Sequence, residues 1–131
     1  IMTAADPLVA DGARMVYNIA LSHLYYKNTA TEDFDFALQL GTEDTWHIAR
    51  DAAVTFTLQD GSEIRLLQTR DDDNFVYLYP SLEEIRALAY GSVVKLRLET
   101  EKGALEDTFP DNSLSRVINQ QYQLLISMSA R

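Results

Sequence analysis

The stretch from Val54 to Leu66 constrains the fold more than any other part of the chain. Asp60-Gly61 lies between two runs in which apolar and polar residues alternate. A two-residue loop would pair Phe56 with Arg65 and Val54 with Leu67, mixing the faces. A three-residue loop, Gln59-Asp60-Gly61, pairs Leu58 with Ser62, Phe56 with Ile64 and Val54 with Leu66. Val54, Phe56, Leu58, Ile64 and Leu66 then share one face, and Thr55, Thr57, Glu63 and Arg65 the other. Side chains alternate with period two along a strand, so only this register suits a half-buried sheet. It also calls for Gly61 at positive φ, closing a type I turn with a bulge.

Other segments carry the same alternation. Tyr17, Ile19, Leu21, His23 and Tyr25 share one parity between Arg14 and Lys27. Phe34, Phe36, Leu38 and Leu40 do so after a polar turn at Asn28 to Asp33. Phe75 to Tyr79 reads as a short strand stopped by Pro80. Val94, Leu96 and Leu98 oppose Lys95 and Arg97, and Lys102-Gly103 turns the chain into a last strand through Leu105 and Phe109.

Two segments switch to helical spacing. Ser81 with Glu84 forms the pattern of a capping box, followed by Leu82, Ile85, Leu88 and Ala89 as an apolar stripe ended by Gly91. Near the C-terminus, Asn112 or Ser113 can cap a stripe of Leu114, Val117, Ile118, Tyr122 and Leu125. Tyr122, Leu124, Ile126 and Met128 also alternate as a strand would, but the helical period starts earlier and is capped. The expected fold is mainly β: an antiparallel β-sandwich of about seven strands with a short inserted helix over 81–90 and a C-terminal helix over 113–128. With 131 residues, the chain suits a single domain, 1–131, that buries roughly two-thirds of its unfolded surface. Residues 1–13 carry Pro7 and Gly12 without a period and read as a loosely held entry segment.

Eleven basic against 20 acidic residues give a net charge of -9. Such a field repels phosphate backbones and anionic lipids. Arg65, Arg70, Arg86, Lys95, Arg97 and Lys102 do not cluster in the sequence. Nucleic acid is therefore not an expected partner. No apolar run approaches the roughly 20 residues of a membrane span, so no membrane insertion is expected within this chain. There are no cysteines, which excludes thiol nucleophiles, disulfides and thiolate metal sites. The chain starts at Ile1 and not at Met. An upstream segment removed or left out is expected on that ground, and a periplasmic or cell-surface location is one option it opens.

No catalytic, cofactor-binding or metal-binding residue emerges from the motifs. His23 and His47 fall in different strands with no ligand spacing, and His23 reads as a partly buried core histidine. Asp71-Asp72-Asp73-Asn74 lacks the alternate ligands, Gly and distal Glu of a calcium loop. It reads as a solvated turn, as do Glu43-Asp44 and Glu32, Asp33 and Asp35. Ser92 follows Gly91 in a helix-turn-strand order, the reverse of a nucleophile elbow. Tyr25, Tyr26, Tyr77, Tyr79 and Tyr90, with Trp46, could line a ligand or protein surface. As half-core residues they need no such role, and Trp46 in particular reads as core.

Phe36 to Leu66 holds a strand, a polar loop, Trp46-His47-Ile48, and the Asp60-Gly61 hairpin. Leu82 to Leu125 adds the short helix, Val94-Lys95-Leu96-Arg97-Leu98, Gly103, Glu106-Asp107, Phe109 and the final helix. Together, residues 34–128 resemble small uncharacterised β-sandwich domains of bacterial envelope proteins. Those domains carry a bulky apolar residue where this chain has His47. The resemblance implies a non-enzymatic binding or accessory domain, secreted or lipid-anchored, whose partner is an unidentified protein or small ligand. A small hydrolase with carboxylate chemistry and a pleckstrin-homology-like binding module are the alternatives.

Overall fold

The computed structural model describes residues 6–9, 16–25, 34–42, 47–101, 103–109 and 112–129. They form a mainly β domain of two sheets and two helices. The first sheet has the order β1-β2-β3-β6: β1 Asp6–Val9, β2 Val16–Tyr25, β3 Phe34–Thr42 and β6 Phe75–Leu78. The second has the order β5-β4-β7-β8: β4 Ala53–Leu58, β5 Glu63–Leu67, β7 Val93–Thr100 and β8 Gly103–Thr108. All neighbours are antiparallel. Helix α1 spans Leu82–Tyr90 and α2 spans Ser113–Ser129.

The hairpin has the register that face-sorting demands. Phe56 lies opposite Ile64 and Val54 opposite Leu66. The Leu58 N–H donates to the Ser62 carbonyl at 2.8 Å, and Gly61 sits at φ +90°. Asp60 Oδ1 accepts from the Ser62 hydroxyl at 2.6 Å and from its N–H at 2.9 Å, which holds the Asp60 carboxyl below its ordinary range. A side chain binding its own turn two residues on is a common reason for Asp at this place.

Among the described residues the strands do not reproduce the expected seven, and β1 is one that the alternation did not mark. Asp6–Val9 lies inside the stretch read as an entry segment and pairs with β2 from Ile19 to Val16. Pro7 hid it. A proline lacks the N–H of a central strand but is tolerated on an edge, and β1 is an edge.

Both sheets and both helices contribute to one buried cluster. In the first sheet the rows Leu21-Leu38-Leu78 and Ile19-Leu40-Val76 lie in register, and all six residues are buried. In the second, Leu66-Val54-Leu98-Leu105 forms the matching row. A bulge between Thr57 and Leu58 moves the pairing so that Leu58 faces Val93.

The helices close this core. Ser81 caps α1 with the reciprocal bonds of a capping box, Glu84 N to Ser81 Oγ and Ser81 N to Glu84 Oε1. Ile85, Leu88 and Ala89 turn inward, while Leu82, expected on the same stripe, is exposed. Gly91 ends α1 in an extended conformation, not a left-handed one. Its glycine is required by space: a Cβ there would sit 2.6 Å from the Ala87 carbonyl oxygen.

In α2 the helical reading prevails over the strand alternation. Leu114, Ile118, Tyr122 and Leu125 are buried, whereas Leu124 and Ile126 are exposed. Tyr122 joins the layers: its ring meets Phe36 of β3 at 5.8 Å and Tyr90 of α1 edge-on at 6.0 Å. Arg86 Nε donates to its hydroxyl at 3.0 Å. Such a partner lets a tyrosine be buried without leaving its hydroxyl unsatisfied.

Candidate binding site

Strand β6 is where the aromatic residues gather. Its sequence Phe75-Val76-Tyr77-Leu78 sends Val76 and Leu78 into the core. Alternation therefore turns Phe75 and Tyr77 outward, and Tyr79 just beyond the strand continues the row. Phe75 is 38% and Tyr79 60% exposed. The Phe75 and Tyr77 rings stand 5.9 Å apart, inclined by 42°. The Arg70 guanidinium carbon lies 3.6 Å from the centre of the Tyr77 ring, a cation–π contact. In register beside them on β3 are Gln39, opposite Tyr77, and Gly41, opposite Phe75.

The free edge of β6 is sealed by the segment that follows β5. Gln68 is buried, and its Nε2 donates to the Phe75 carbonyl at 2.8 Å. Its Oε1 accepts from the Tyr77 N–H at 2.7 Å. The Thr69 N–H and hydroxyl both donate to the Tyr77 carbonyl, at 3.2 and 3.0 Å. One glutamine amide thus satisfies a donor and an acceptor as a neighbouring strand would. That leaves the face of β6, and not its edge, open to a partner.

The acidic loop before β6 is built as a turn. Asp72 Oδ1 accepts from the N–H groups of Asn74 and Phe75 at 2.9 and 2.8 Å, and the Asp72 backbone bridges Ile48. Asp71 Oδ1 accepts from the Arg50 N–H at 2.8 Å. Asp73 Oδ1 lies 3.0 Å from His47 Nδ1. The three carboxylates serve three different partners and do not converge. The Asp73 hydrogen bond, with the nearby Glu101 and Asp71 carboxylates, raises the His47 pKa above its ordinary value. Among the described residues, no group of three or more His, Asp or Glu side chains is placed to hold a metal ion.

The other sequence candidates fall elsewhere. Tyr90 is exposed at the end of α1, away from β6 in the chain, with its ring against Tyr122. Ser92 lines a shallow cavity of about 350 Å³ with Leu58, Gln59, Asp60 and Gly91. Among the described residues that line it, Asp60 is the one acid or base, and Asp60 is held by Ser62. Trp46, Tyr26, Glu32, Asp33, Glu43 and Asp44 lie outside the described residues, as do the side chains of His23, Tyr25 and Asp35.

One grouping was not legible in the sequence. The solvent face of the second sheet gathers Arg65, Lys95 and Arg97 around a depression of about 360 Å³. These cations are scattered along the chain, and strand pairing assembles them: Thr55 faces Arg65 on one side and Arg97 on the other. Glu63, Glu99 and Glu106 line the same depression, so its charge is balanced. Arg97 pairs with Glu106 at 3.7 Å, both being about half exposed. General-acid work asks for a carboxyl shielded from water, and all three glutamates are exposed. This is the pattern of a solvated sheet face.

No protein-family model, curated protein or solved structure matches this chain. Among the described residues, no helix is long and apolar enough to cross a membrane.

Proposed function

We propose that this chain is a non-enzymatic binding domain, an accessory part of a bacterial envelope protein, with its two sheets serving as the layers of a sandwich-type scaffold. The observation that carries the binding role is the outward row of exposed Phe75 and half-buried Tyr77 on β6, with exposed Tyr79 just beyond the strand. Aromatic side chains turned outward beside a strand whose other face is core present contact area at little conformational cost. Their placement is rigid, because Val76 and Leu78 anchor the same strand and Gln68 locks its edge. The envelope setting rests on the resemblance over residues 34–128.

The test is a heteronuclear NMR titration of the labelled chain with panels of oligosaccharides and of extended peptides. A saturable ligand should shift amides of residues 70–79 first. Turnover of a hydrolase substrate panel, or ligand shifts confined to the charged face around Arg65 and Arg97, would overturn the reading.

A further inference from the structure

We propose that this chain pairs with a second copy of itself along the free edge of β5, as an antiparallel strand pair whose two-fold axis passes through Ile64.

Strand β5 is the outer strand of the second sheet. The Leu58 N–H donates to the Ser62 carbonyl, and the Gln68 N–H to the Ala52 carbonyl. Between these bonds Phe56 faces Ile64 and Val54 faces Leu66. Bonded and non-bonded pairs alternate along an antiparallel ladder, so the backbone groups of Ile64 and Leu66 point to β4. Those of Glu63, Arg65 and Leu67 point away from it, along the edge. Among the described residues no hydrogen bond reaches them. At β6 the corresponding groups are taken by Gln68 and Thr69.

Parity limits how two such edges can meet. Opposed residues in an antiparallel pair are both bonded or both non-bonded, so a symmetric pair must centre on a residue. Centred on Glu63, the two copies of that carboxylate would face each other. Centred on Arg65, the two guanidinium groups would. Centred on Leu66, Arg65 would face the partner's Leu67 and Glu63 the partner's Thr69. Centred on Ile64, each Glu63 faces the partner's Arg65 and exchanges both backbone bonds with it. Opposite charges across a strand pair stabilise it, and like charges destabilise it. Glu63 and Arg65 are both exposed. Among the described residues neither is engaged in an ion pair within the chain.

The inner face agrees with this register. Ile64 is half-buried and packs against the core cluster. On the axis the two Ile64 side chains meet as a non-hydrogen-bonded pair, the closer kind, and cover the apolar surface that each leaves open. The other edge of the sheet lacks such a match: β8 carries Glu106 and Asp107 and no cation, so two copies there would set acid beside acid.

A strand edge of this length buries less than the roughly 1,200 Å² of a standard interface. The net charge of -9 also opposes association, although salt screens it beyond about 8 Å. The dimer is therefore weak, with a Kd on the order of 0.1 mM.

The experiment dilutes the isotope-labelled chain from about 1 mM to about 20 μM at roughly physiological salt. Amide shifts should move with concentration at residues 62–67, and the rotational correlation time should rise to that of a dimer and no further. Arg65→Glu and Glu63→Arg should each weaken association by at least about tenfold, since each sets like charges in both cross-strand pairs. The double variant exchanges the two charges and should restore association to within about threefold of the unaltered chain. Both positions are exposed, and the dilute spectrum of each variant checks its fold. An unaltered chain that stays monomeric at the top concentration would overturn the proposal. So would concentration-dependent shifts centred elsewhere, growth beyond a dimer, or a double variant that recovers nothing the single variants lose.

Discussion

The side-chain amide of Gln121 in α2 pairs with the backbone of β2 at Leu21: its Oε1 accepts from the Leu21 N–H at 2.8 Å. Its Nε2 donates to the Ile19 carbonyl, also at 2.8 Å. Among the described residues, β1 pairs with β2 from Val16 to Ile19. Gln121 bonds to β2 beside that pairing, and Gln68 bonds in the same way to β6 at the opposite side of the sheet. An uncovered strand edge invites pairing with other chains. Two buried glutamines are each matched donor for acceptor: Gln68 closes the β6 edge of this sheet, and Gln121 ties α2 to β2 beside β1.

Gln121→Ala should therefore destabilise the domain by about 1–3 kcal/mol, because both bonds are buried. Equilibrium urea unfolding measures it. A change below about 0.5 kcal/mol, the range of ordinary surface positions, would mean that the amide only decorates the edge.

Gly91→Ala should cost more than Gly61→Ala, although Gly61 has the unusual backbone. At Gly61, φ is +90° and nothing lies within 4 Å of a new Cβ. The penalty is conformational alone, about 1 kcal/mol. At Gly91 a Cβ would meet the Ala87 carbonyl oxygen at 2.6 Å and a Leu58 methyl at 3.3 Å. Backbone cannot yield as a side chain can, so the end of α1 must move. Thermal melts of the two variants should rank in that order.

The His47–Asp73 contact makes a small pH dependence. The folded-state pKa of His47 is raised, first by the Asp73 hydrogen bond. The protonated form is thus favoured by folding. Its contribution is fully present below the unfolded value of about 6.5, and it is lost as pH rises through the higher folded value. Histidine proton shifts should titrate above the ordinary midpoint in the native chain and return towards it in Asp73→Asn. An unchanged midpoint in that variant would remove Asp73 as the cause.

Tyr79→Ser should leave stability within about 0.5 kcal/mol, as expected of an exposed position beyond the end of its strand. Urea unfolding followed by far-UV dichroism reads this directly. A loss of 2 kcal/mol or more, on the scale of a truncated core side chain, would move Tyr79 from the binding face into the core.

Local rules were enough for much of the backbone. The hairpin register follows from the parity of Val54 to Leu66, and the start of α1 from Ser81 and Glu84, since both depend on neighbours a few residues away. The 3.6-residue period over Leu114 to Leu125, which starts before the strand-like alternation, likewise favours helix before any packing is known. What tertiary structure alone decided depends on partners distant in the chain. β1 has no period of its own and becomes a strand only because β2 offers it an edge. Gln121 reaches Ile19 across 102 residues, so nothing near it in the chain marks it as a strand mimic. Asp71, Asp72 and Asp73 read as one charge cluster, but the fold sends each carboxylate to a different donor. Phe75, Tyr77 and Tyr79 could have been core by composition. They became a surface because Val76 and Leu78 took the buried side of the same strand, and a strand has only two sides.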